Sequence, residues 1–493
     1  MSENFSKIII VGTGFSGIGM GIALKKAGFD DFVILEKGSD LGGTWRDNQY
    51  PGCACDVPSP LYSYSYELNP SWTRLFAPQP EIREYLRGCV TKYGIGAHIR
   101  YGQRVEGMEW DDASRQWTVR TTDGERYRSH AVVSGVGALH IPTYPDIAGA
   151  VGVDSDGAFT GASFHSSAWD GSADLTGKRV AVIGTGASAI QFVPSVAERA
   201  AQLTVFQRTP PWIHPRPDAP IPPIARRLLR TVPGAARGLR DLIYWALESR
   251  ALGFAVDPRL MAPLEALARR HLASQVPDPE LRARLTPDYT IGCKRILLSS
   301  DYYPALQRPN VALVTDAIKE ITPSGVVTGD GSQREFDVII YGTGFRVVDS
   351  ATELNVTGRG GVKLADAWSS GVTAYRGITV AGFPNFFMLL GPNTALGHTS
   401  VVFMIETQVQ HVMSCLRILS RERASTIDVQ ANALRRYNEG LHQRLRRAVW
   451  SAGGCRSWYL DEAGINRTLW PGFTFEYWAR TRRARRADYN VEV

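Results

Sequence analysis

The sequence predicts an α/β protein with two Rossmann-like dinucleotide-binding domains and a helical insertion in the second. An apolar strand, a glycine-rich turn and a helix follow one another twice, and a long stretch with helical periodicity follows the second copy. With 493 residues, 44% of them hydrophobic, the chain is too long for one core. We predict a first domain of 1–143 and 347–493, a second of 144–219 and 293–346, and an insertion of 220–292.

The first copy runs from the apolar strand KIIIV into Gly12-x-Gly14-x-x-Gly17 and a helix. Gly12 permits the tight turn, Gly14 lets the backbone approach a pyrophosphate, and Gly17 allows close contact between helix and strand. A second strand ends on Glu36, 19 residues after Gly17. A carboxylate at this place accepts from a ribose 2′-hydroxyl. The first turn is therefore predicted to bind FAD or NAD.

The second copy has Gly184-x-Gly186-x-x-Ala189 after the strand RVAVI. Counting the same 19 residues from Ala189 leads to Arg208, a base where the first copy has an acid. A base suits a ribose phosphate, so the pair of turns predicts FAD in the first site and NADPH in the second. A plain surface arginine is the alternative for Arg208. Such a chain is predicted to be a flavoprotein that takes hydride from a nicotinamide.

The six cysteines contain no CxxC or CxxxxC pair and no zinc-type spacing with histidine. A disulfide reductase is therefore disfavoured, and a small molecule or oxygen is the expected electron acceptor. No metal site is expected. We interpret Cys53 and Cys55 as small fillers of a loop, with a redox pair as the alternative, and we expect a reduced, cytoplasmic compartment.

The 55 Lys and Arg against 48 Asp and Glu give a net charge of +7, concentrated in 225–240 and 480–486. Without a long basic and aromatic stripe, such clusters are typical of solvated faces, so no nucleic acid partner is expected. No apolar run reaches about 18 residues, so no integral membrane segment is expected. The first apolar run leads straight into a glycine turn, which disfavours a signal peptide. The insertion 220–292 is predicted to pack over the active site as a lid, with membrane docking as the alternative.

Two further stretches contain chemically useful residues. Asp56 lies in a long Gly/Pro/aromatic loop and needs a cationic or hydrogen-bonding partner if it is buried; a surface aspartate in a turn is the alternative. Lys294 and Arg295 are adjacent on a predicted extended stretch, so they point to opposite sides: one to a phosphate, the other to a reacting centre. Two solvated charges are the alternative.

Between the two turns, the segment 159–170 is interpreted as a linker with a function, since its aromatic, glycine and histidine spacing is unusual for a linker.

These motifs resemble the type I (class B) flavin-dependent Baeyer–Villiger monooxygenases. The family pattern F-x-G-x-x-x-H-x-x-x-W, followed by Pro or Asp, is matched by Phe159, Gly161, His165 and Trp169 with Asp170. A second family pattern is matched by Gly42, Gly43, Trp45, Tyr50, Pro51, Gly52 and Asp56. Heteroatom-oxygenating relatives usually end the linker motif with Tyr, so Trp169 favours the Baeyer–Villiger branch.

The resemblance implies roles for individual residues. Arg295 matches the arginine that stabilises the negative charge of a peroxyflavin, and Asp56 matches the acid that positions this arginine. Lys294 and Arg208 match contacts to the NADP 2′-phosphate. His165 is implied to couple domain motion to cofactor exchange rather than to transfer protons. The remaining candidates for cofactor binding are Gly43, Thr44, Trp45, Thr209 and Trp458, the last of these near the nicotinamide.

The implied activity is the conversion of a ketone to an ester or lactone with FAD, NADPH and O₂. Linear or aryl ketones are favoured over small cyclic ones by analogy. Two alternatives remain: an oxygenase acting on amines or sulfides, and a flavin-binding redox sensor without enzymatic activity. A monomer or homodimer is expected.

Overall fold

The computed structural model describes residues 4–151, 158–347, 354–455 and 457–493. The strands are β1 (Asn4–Phe5), β2 (Ile8–Val11), β3 (Phe32–Leu35), β4 (Ile99–Arg100), β5 (Val105–Asp111), β6 (Gln116–Thr121), β7 (Arg126–Ser129), β8 (Ala131–Ser134), β9 (Ala162–His165), β10 (Arg179–Ile183), β11 (Gln202–Phe206), β12 (Ile213–His214), β13 (Leu297–Leu298), β14 (Val311–Val314), β15 (Ile318–Thr322), β16 (Gly325–Thr328), β17 (Gln333–Glu335), β18 (Val338–Tyr341), β19 (Val356–Thr357), β20 (Phe386–Met388), β21 (Thr426–Val429) and β22 (Tyr489–Glu492). The α-helices are α1 (Phe15–Lys26), α2 (Thr44–Asp47), α3 (Gln79–Lys92), α4 (Ala189–Arg199), α5 (Pro223–Thr231), α6 (Ala235–Glu248), α7 (Ala262–Gln275), α8 (Pro279–Arg284), α9 (Tyr302–Leu306), α10 (Leu364–Ala367), α11 (Val401–Glu422), α12 (Ala431–Leu445), α13 (Val449–Ala452) and α14 (Thr474–Thr481).

The first dinucleotide turn lies on a parallel sheet with the strand order β20-β8-β2-β3-β4. Strand β2 reads Ile-Ile-Ile-Val and is buried at every residue, as expected for a strand with both faces covered. Helix α1 packs against α3 and α11 on one side of this sheet. Because β20 comes from the C-terminal part of the chain, the chain returns to the first sheet after it has built the second. A second, mixed sheet, β1-β7-β6-β5-β19, packs beside the first.

The second dinucleotide turn lies on a separate parallel sheet with the order β14-β11-β10-β18-β9. The edge strand β9 comes from the segment predicted as a linker. That interpretation was incomplete, because Ala162–His165 pair in register with Val338–Tyr341 and so belong to the sheet of the second domain. An isolated linker sequence does not show such pairing, since the partner strand lies far away in the chain. The predicted fold class is confirmed by two parallel Rossmann-like sheets with helices against them.

Helices α5 to α8 form the insertion between β12 and β13, which pair with each other in parallel. Helix α5 has no buried residue, whereas α6 buries Arg240 and Glu248. Within the described ranges, every helix is too short or too polar to cross a bilayer.

Candidate functional site

The first turn has the backbone geometry that a pyrophosphate requires. Gly12 adopts a φ of +96°, and a methyl group on Gly17 would overlap the Gly12 carbonyl oxygen. Helix α1 begins after Gly14 without a side-chain cap, so its first N–H groups are available to an anion. Among the described residues outside its chain neighbours, a methyl group placed on Gly14 would meet just the Cα of Gly43, at 3.9 Å. The two glycine loops therefore approach closely and leave room for a phosphate chain.

Glu36 follows strand β3 and is almost fully buried, with 3% of its surface exposed. Its Oε2 accepts from the Thr13 N–H at 2.9 Å and the Thr13 hydroxyl at 2.6 Å, and its Oε1 accepts from the Gly38 N–H at 2.7 Å. Arg46 pairs with the same Oε1 at 2.5 Å. Burial raises the pKa of Glu36, but the hydrogen bonds from Thr13 and Arg46 outweigh it and leave the pKa below its usual value. The acid is therefore held ionised at the ribose end of the turn, with Arg46 as a partner that its sequence position did not reveal.

The segment GGTW forms the short helix α2 beside the first turn. Gly43 precedes it with a φ of +53°. Thr44 is exposed at the start of α2, whereas Trp45 is buried and donates its indole N–H to the Tyr62 hydroxyl at 3.2 Å. The carbonyl oxygen of Trp45 accepts from the Gln79 side chain. Trp45 is thus a packing residue of the loop, while Gly43 and Thr44 face the open side where a cofactor would lie.

The second dinucleotide turn has the same backbone geometry as the first, with Ala189 in the place of the third glycine. Gly184 adopts a φ of +107°, and a methyl group on it would lie 2.5 Å from the Gly342 carbonyl oxygen. Gly186 faces open space, with the Gly342 oxygen 4.0 Å away from an added methyl group. Ala189 is buried at the start of α4, which also lacks a side-chain cap. The second helix N-terminus is therefore equally free to bind a phosphate.

Arg208 follows strand β11 and is exposed, which fits both the predicted contact to a ribose phosphate and the alternative of a plain surface arginine. Lys294 lies close enough that the charge on Arg208 contributes to lowering the pKa of the lysine, second to partial burial. Its ammonium lies 4.9 Å from the centre of the Tyr289 ring. Thr209 is half-buried and its carbonyl oxygen accepts from the Thr185 hydroxyl at 3.3 Å. Two cations that converge on one place favour an anionic ligand between them.

Arg295 has a different partner from Lys294, which lies in a bend and not in the extended stretch that was predicted. Its Nε lies 2.8 Å and its Nη2 2.7 Å from Oδ2 of Asp56. The pair joins the long loop of the first domain to the second domain. The Asp56 carboxylate holds the pKa of Arg295 above its ordinary value. In the part of the chain that the structure describes, Nη1 of Arg295 has no protein hydrogen bond, so one face of this cation remains available to a reacting anion.

His165 lies at the end of β9 and is fully buried. Its Nδ1 lies 2.8 Å from the Ser167 hydroxyl, and the Ser167 N–H donates to the same nitrogen at 3.1 Å. Its ring contacts Tyr144 and Phe345 edge-on. Burial lowers the pKa of His165 to about 4, so the ring is neutral at physiological pH. This environment suits a structural joint better than a proton-transfer group.

Gly161 and Trp169, two other residues of the linker motif, are fixed by packing. A methyl group on Gly161 would meet the Phe159 ring and the Asp337 carbonyl oxygen at 2.6 Å, so only glycine fits. Trp169 packs against Phe192 of α4, with ring centres 5.3 Å apart, and against Tyr50 of the first domain at 6.5 Å. Trp169 therefore contacts both domains.

Gln191 of α4 makes a second contact between the domains. Its side-chain oxygen accepts from the Tyr50 hydroxyl at 3.1 Å, and its amide donates to the Ala54 carbonyl at 3.1 Å. A methyl group on Gly52 would lie 2.5 Å from the Gln191 carbonyl oxygen, so the backbones nearly touch. No local sequence signal identified Gln191, because its partners lie 137 and 141 positions away.

The insertion is anchored to the first domain by buried charges. One nitrogen of Arg240 donates to the carbonyls of Pro60, Leu61 and Ser63 at 3.0–3.1 Å. Glu248 accepts from the backbone and hydroxyl of Thr474 at the start of α14. Its Oε2 also lies 3.3 Å from Nε2 of His398. These contacts place the insertion against the loop that contains Asp56.

Trp458 and its neighbour Tyr459 differ in exposure, and the predicted place of Trp458 near the nicotinamide stays a prediction. Trp458 is 47% exposed, while its neighbour Tyr459 is 1% exposed and close enough to Arg295 and Asp56 to feel both charges. Cys293 and Cys455 form a disulfide, which the cysteine spacing did not predict. Cys53 and Cys55 are buried free thiols, as fillers would be. Tyr459 and the disulfide were missed because both depend on contact between segments far apart in the chain.

Comparison with known proteins identifies relatives over most of the chain. Residues 9–236 match the family model described as pyridine nucleotide-disulphide oxidoreductase. A Baeyer-Villiger monooxygenase of Pseudomonas aeruginosa is 49% identical over 98% of this chain and 91% of its own length. A Baeyer-Villiger monooxygenase of Streptomyces coelicolor is 45% identical over 98% of this chain and 92% of its own length.

The solved structures that superpose on this chain are also monooxygenases. A closed crystal structure of cyclohexanone monooxygenase superposes with a TM-score of 0.87 at 27% identity and covers 100% of both chains. A crystal structure of OTEMO in complex with FAD and NADP superposes with a TM-score of 0.86 at 27% identity, over 99% of each chain. Oxidized steroid monooxygenase bound to NADP gives 0.86 at 28% identity, over 99% of this chain and 100% of its own.

Proposed function

This chain belongs to the Baeyer–Villiger monooxygenase family, and from that premise we propose that it converts linear or aryl ketones to esters. It is an FAD-containing, NADPH-dependent flavoprotein oxygenase, as the predicted enzyme class and cofactors require and its relatives confirm. The substrate class goes beyond the family. It is supported by the aromatic C-terminal segment, in which Trp458 is 47% exposed and offers a flat apolar surface to an aryl group.

The residues present fit both cofactors. The cradle between Gly14 and Gly43 accepts the FAD pyrophosphate at the N-terminus of α1, and Glu36 is the acceptor for its ribose hydroxyls. FAD supplies the redox chemistry: reduced by NADPH, it activates molecular oxygen for insertion next to a ketone carbonyl. Gly186 and the N-terminus of α4 are proposed to hold the NADPH pyrophosphate.

Arg208 and Lys294 are proposed to bind the 2′-phosphate of NADPH. Their side chains lie within range of each other's charge, which is unfavourable until an anion separates them. Binding of the phosphate relieves this repulsion. The phosphate therefore contributes more binding free energy than it would through contact with one cation. NADH lacks the phosphate and would leave the repulsion in place.

Arg295 and Asp56 are proposed as the catalytic pair. A guanidinium is charged at every accessible pH, so Arg295 can hold a developing negative oxygen in a site that excludes water. Asp56 fixes the orientation of the guanidinium through two contacts to Oδ2 and leaves Nη1 for the reacting oxygen. The single observation that carries the proposal is this ion pair, placed between two dinucleotide turns.

The insertion 220–292 is proposed as the lid of the site. Arg240 and Glu248 attach it to the loop of the first domain and to α14, so a change in their contacts would open the site to solvent. We further propose that the protein is cytoplasmic and acts as a monomer or homodimer.

A panel of linear, aryl, cyclic and steroid ketones tests the function. We expect ketone-stimulated NADPH oxidation and ester products with the linear and aryl members. Ester formation confined to cyclic or steroid ketones would contradict the substrate class. Oxidation of sulfides or amines without ester formation would contradict the reaction itself and favour a heteroatom oxygenase.

A further inference from the structure

The disulfide between Cys293 and Cys455 lies beside the proposed catalytic arginine. It joins two segments that are 162 positions apart, with Cα atoms 6.1 Å from each other. Cys293 comes two residues before Arg295, and Cys455 comes four residues before Tyr459. The bond therefore links the segment that supplies the cation to the segment that supplies the buried tyrosine.

Backbone contacts show that the two segments pack tightly around this bond. The Thr290 N–H donates to the Gly453 carbonyl at 3.3 Å. A methyl group on Gly453 would lie 2.8 Å from Cβ of Cys293, so any larger residue would force the segments apart. Cys293 is fully buried, whereas Cys455 is half-buried and follows the exposed Gly454, which gives a reductant access from one side.

The segment that follows Cys455 folds back on itself. The carbonyl oxygen of Tyr459 accepts from the Arg467 N–H at 3.2 Å, and Arg467 pairs with Asp461 at 2.9 Å. Leu460 and Asn466 form an isolated antiparallel bridge. The loop 457–467 is therefore held at its far end by an ion pair and at its near end by the disulfide.

Tyr459 is the residue that this loop presents to the ion pair. Burial raises the pKa of Tyr459 to about 12; the Arg295 charge opposes this shift and the Asp56 charge adds to it. The phenol is therefore neutral at physiological pH, and Tyr459 lies in the same buried cluster as Cys293, Trp212 and Phe254.

We propose that the Cys293–Cys455 disulfide is a positioning element that holds Tyr459 against Arg295, so that activated oxygen reaches the ketone instead of escaping as hydrogen peroxide. This inference rests on the proposed function of Arg295. Loss of the bond frees the near end of the loop, and a displacement of about 1 Å at such a site can lower the rate of the chemical step about 100-fold. NADPH oxidation does not need Tyr459 and continues.

The oxidant that makes the bond is the same hydrogen peroxide. Cys293 and Cys455 each give up one proton and one electron, the O–O bond of peroxide breaks and accepts both electrons, and the products are the disulfide and two molecules of water. A reduced chain that releases peroxide would thus oxidise itself into the well-positioned form. This explains how the bond can persist in a protein whose other cysteines, Cys53, Cys55, Cys89 and Cys415, are all free.

The first test compares the purified FAD-loaded enzyme before and after reduction with a phosphine. We expect four free thiols in the untreated protein and six after reduction, from the four free cysteines and the six in the sequence. Reduction should lower the ester formed per NADPH about 10-fold while NADPH consumption changes little. Equal coupling in both forms, or six free thiols before treatment, would overturn the proposal.

Variants and a structural readout make the test independent of ketone turnover. Cys455→Ser should reproduce the reduced form, whereas Cys89→Ser, which removes a buried free thiol in α3, should couple like the parent. Limited proteolysis should cut 453–467 faster in the reduced form and in Cys455→Ser. If no ketone is oxidised at all, the proposed function fails, and the proteolysis result still decides whether the bond holds the loop; unchanged cleavage would overturn that.

Turnover without ketone tests the source of the oxidant. The reduced enzyme, given NADPH and air, should regain the disulfide and its coupling, and added catalase should prevent the recovery. Equal recovery with and without catalase would exclude peroxide as the oxidant.

Discussion

The two dinucleotide turns share a backbone but differ in what surrounds them. At the first turn the discriminating residue is Glu36, which is buried and hydrogen-bonded to Thr13, Gly38 and Arg46. At the second turn it is Arg208, which is exposed and lies near the like charge of Lys294. Protein hydrogen bonds hold Glu36 in place before any ligand binds. Arg208 is expected to gain its main ionic partner only when the phosphate of the ligand binds.

This difference matches the two tasks of the enzyme. A cofactor that stays bound benefits from a site already organised, because little ordering remains to be done on binding. For a cosubstrate that leaves after each cycle, the like charges of Arg208 and Lys294 make the phosphate the group that completes the site.

Gly17→Ala should have the largest effect. Its methyl group would overlap the Gly12 carbonyl, and two backbone segments would have to move apart, which should cost about 4 kcal/mol or more. The corresponding residue of the second turn is already Ala189, so Ala189→Gly should cost only about 1 kcal/mol. Thermal unfolding and FAD content measure both. A Gly17→Ala protein that keeps its FAD and its Tm would show that the first turn is no tighter than the second.

Arg295→Ala should have the second-largest effect, because it removes the charge that lies between the two turns. FAD should remain bound and NADPH should be consumed slowly, but ester formation should fall about 100- to 1000-fold with the loss of a preorganised charge. Arg295→Lys keeps the charge without the planar contact to Asp56 and should recover only part of the activity. Product analysis by gas chromatography measures this. Normal ester yield from the alanine variant would remove Arg295 from the mechanism.

Arg208→Ala should act on cosubstrate binding alone. The KM for NADPH should rise roughly 10- to 100-fold with the loss of a charge-assisted contact, while kcat changes little. The KM for NADH should stay the same, because NADH has no 2′-phosphate. Steady-state kinetics with both nucleotides, and with Lys294→Ala for comparison, provide the measurement. Equal losses with NADPH and NADH would show that Arg208 does not bind the phosphate.

The smallest effect of a single substitution is expected at His165, in the joint between the domains, and only in acid. Burial lowers the pKa of His165 to about 4, below its ordinary value of 6.5, so the unfolded chain binds the extra proton first as pH falls. Stability should therefore be full above about pH 6.5 and decrease towards pH 4, by about 1.4 kcal/mol per pH unit for each such histidine. His411, which is fully buried, and His140, which is half-buried, also have lowered pKa values and contribute in the same direction.

A variant separates His165 from the other histidines. His165→Gln should show a weaker decrease of Tm between about pH 7 and about pH 5 than the parent protein. An identical decrease in both proteins would show that His165 does not carry a lowered pKa.

The sequence predicted most of what depends on short, continuous patterns. The turns at Gly12 and Gly184 and the acid at Glu36 could be identified because strand, glycines, helix and discriminating residue have a fixed spacing. Asp56 and Arg295 were candidates from the residues alone, their roles came from the resemblance, and the structure brings them into contact. Their catalytic roles stay predictions until the variants are measured.

The remainder depends on contacts across the fold. Arg46 pairs with Glu36 only because α2 lies against the end of β3. Gln191, Tyr459 and the Cys293–Cys455 disulfide join segments more than 130 positions apart, and no spacing rule covers such distances. Trp458 and Tyr459 are adjacent in the sequence, and their exposure was decided by packing rather than by their residue types.

The contacts of Gln191 have a consequence for how the two domains move. Tyr50, Ala54 and Gly52 all meet this one residue of α4, and the adjacent Phe192 packs on Trp169. Rotation of the second domain must break these contacts together, since none can stretch while the others stay intact. Any motion that separates the two domains at α4 would therefore be expected to break this cluster of contacts as a unit.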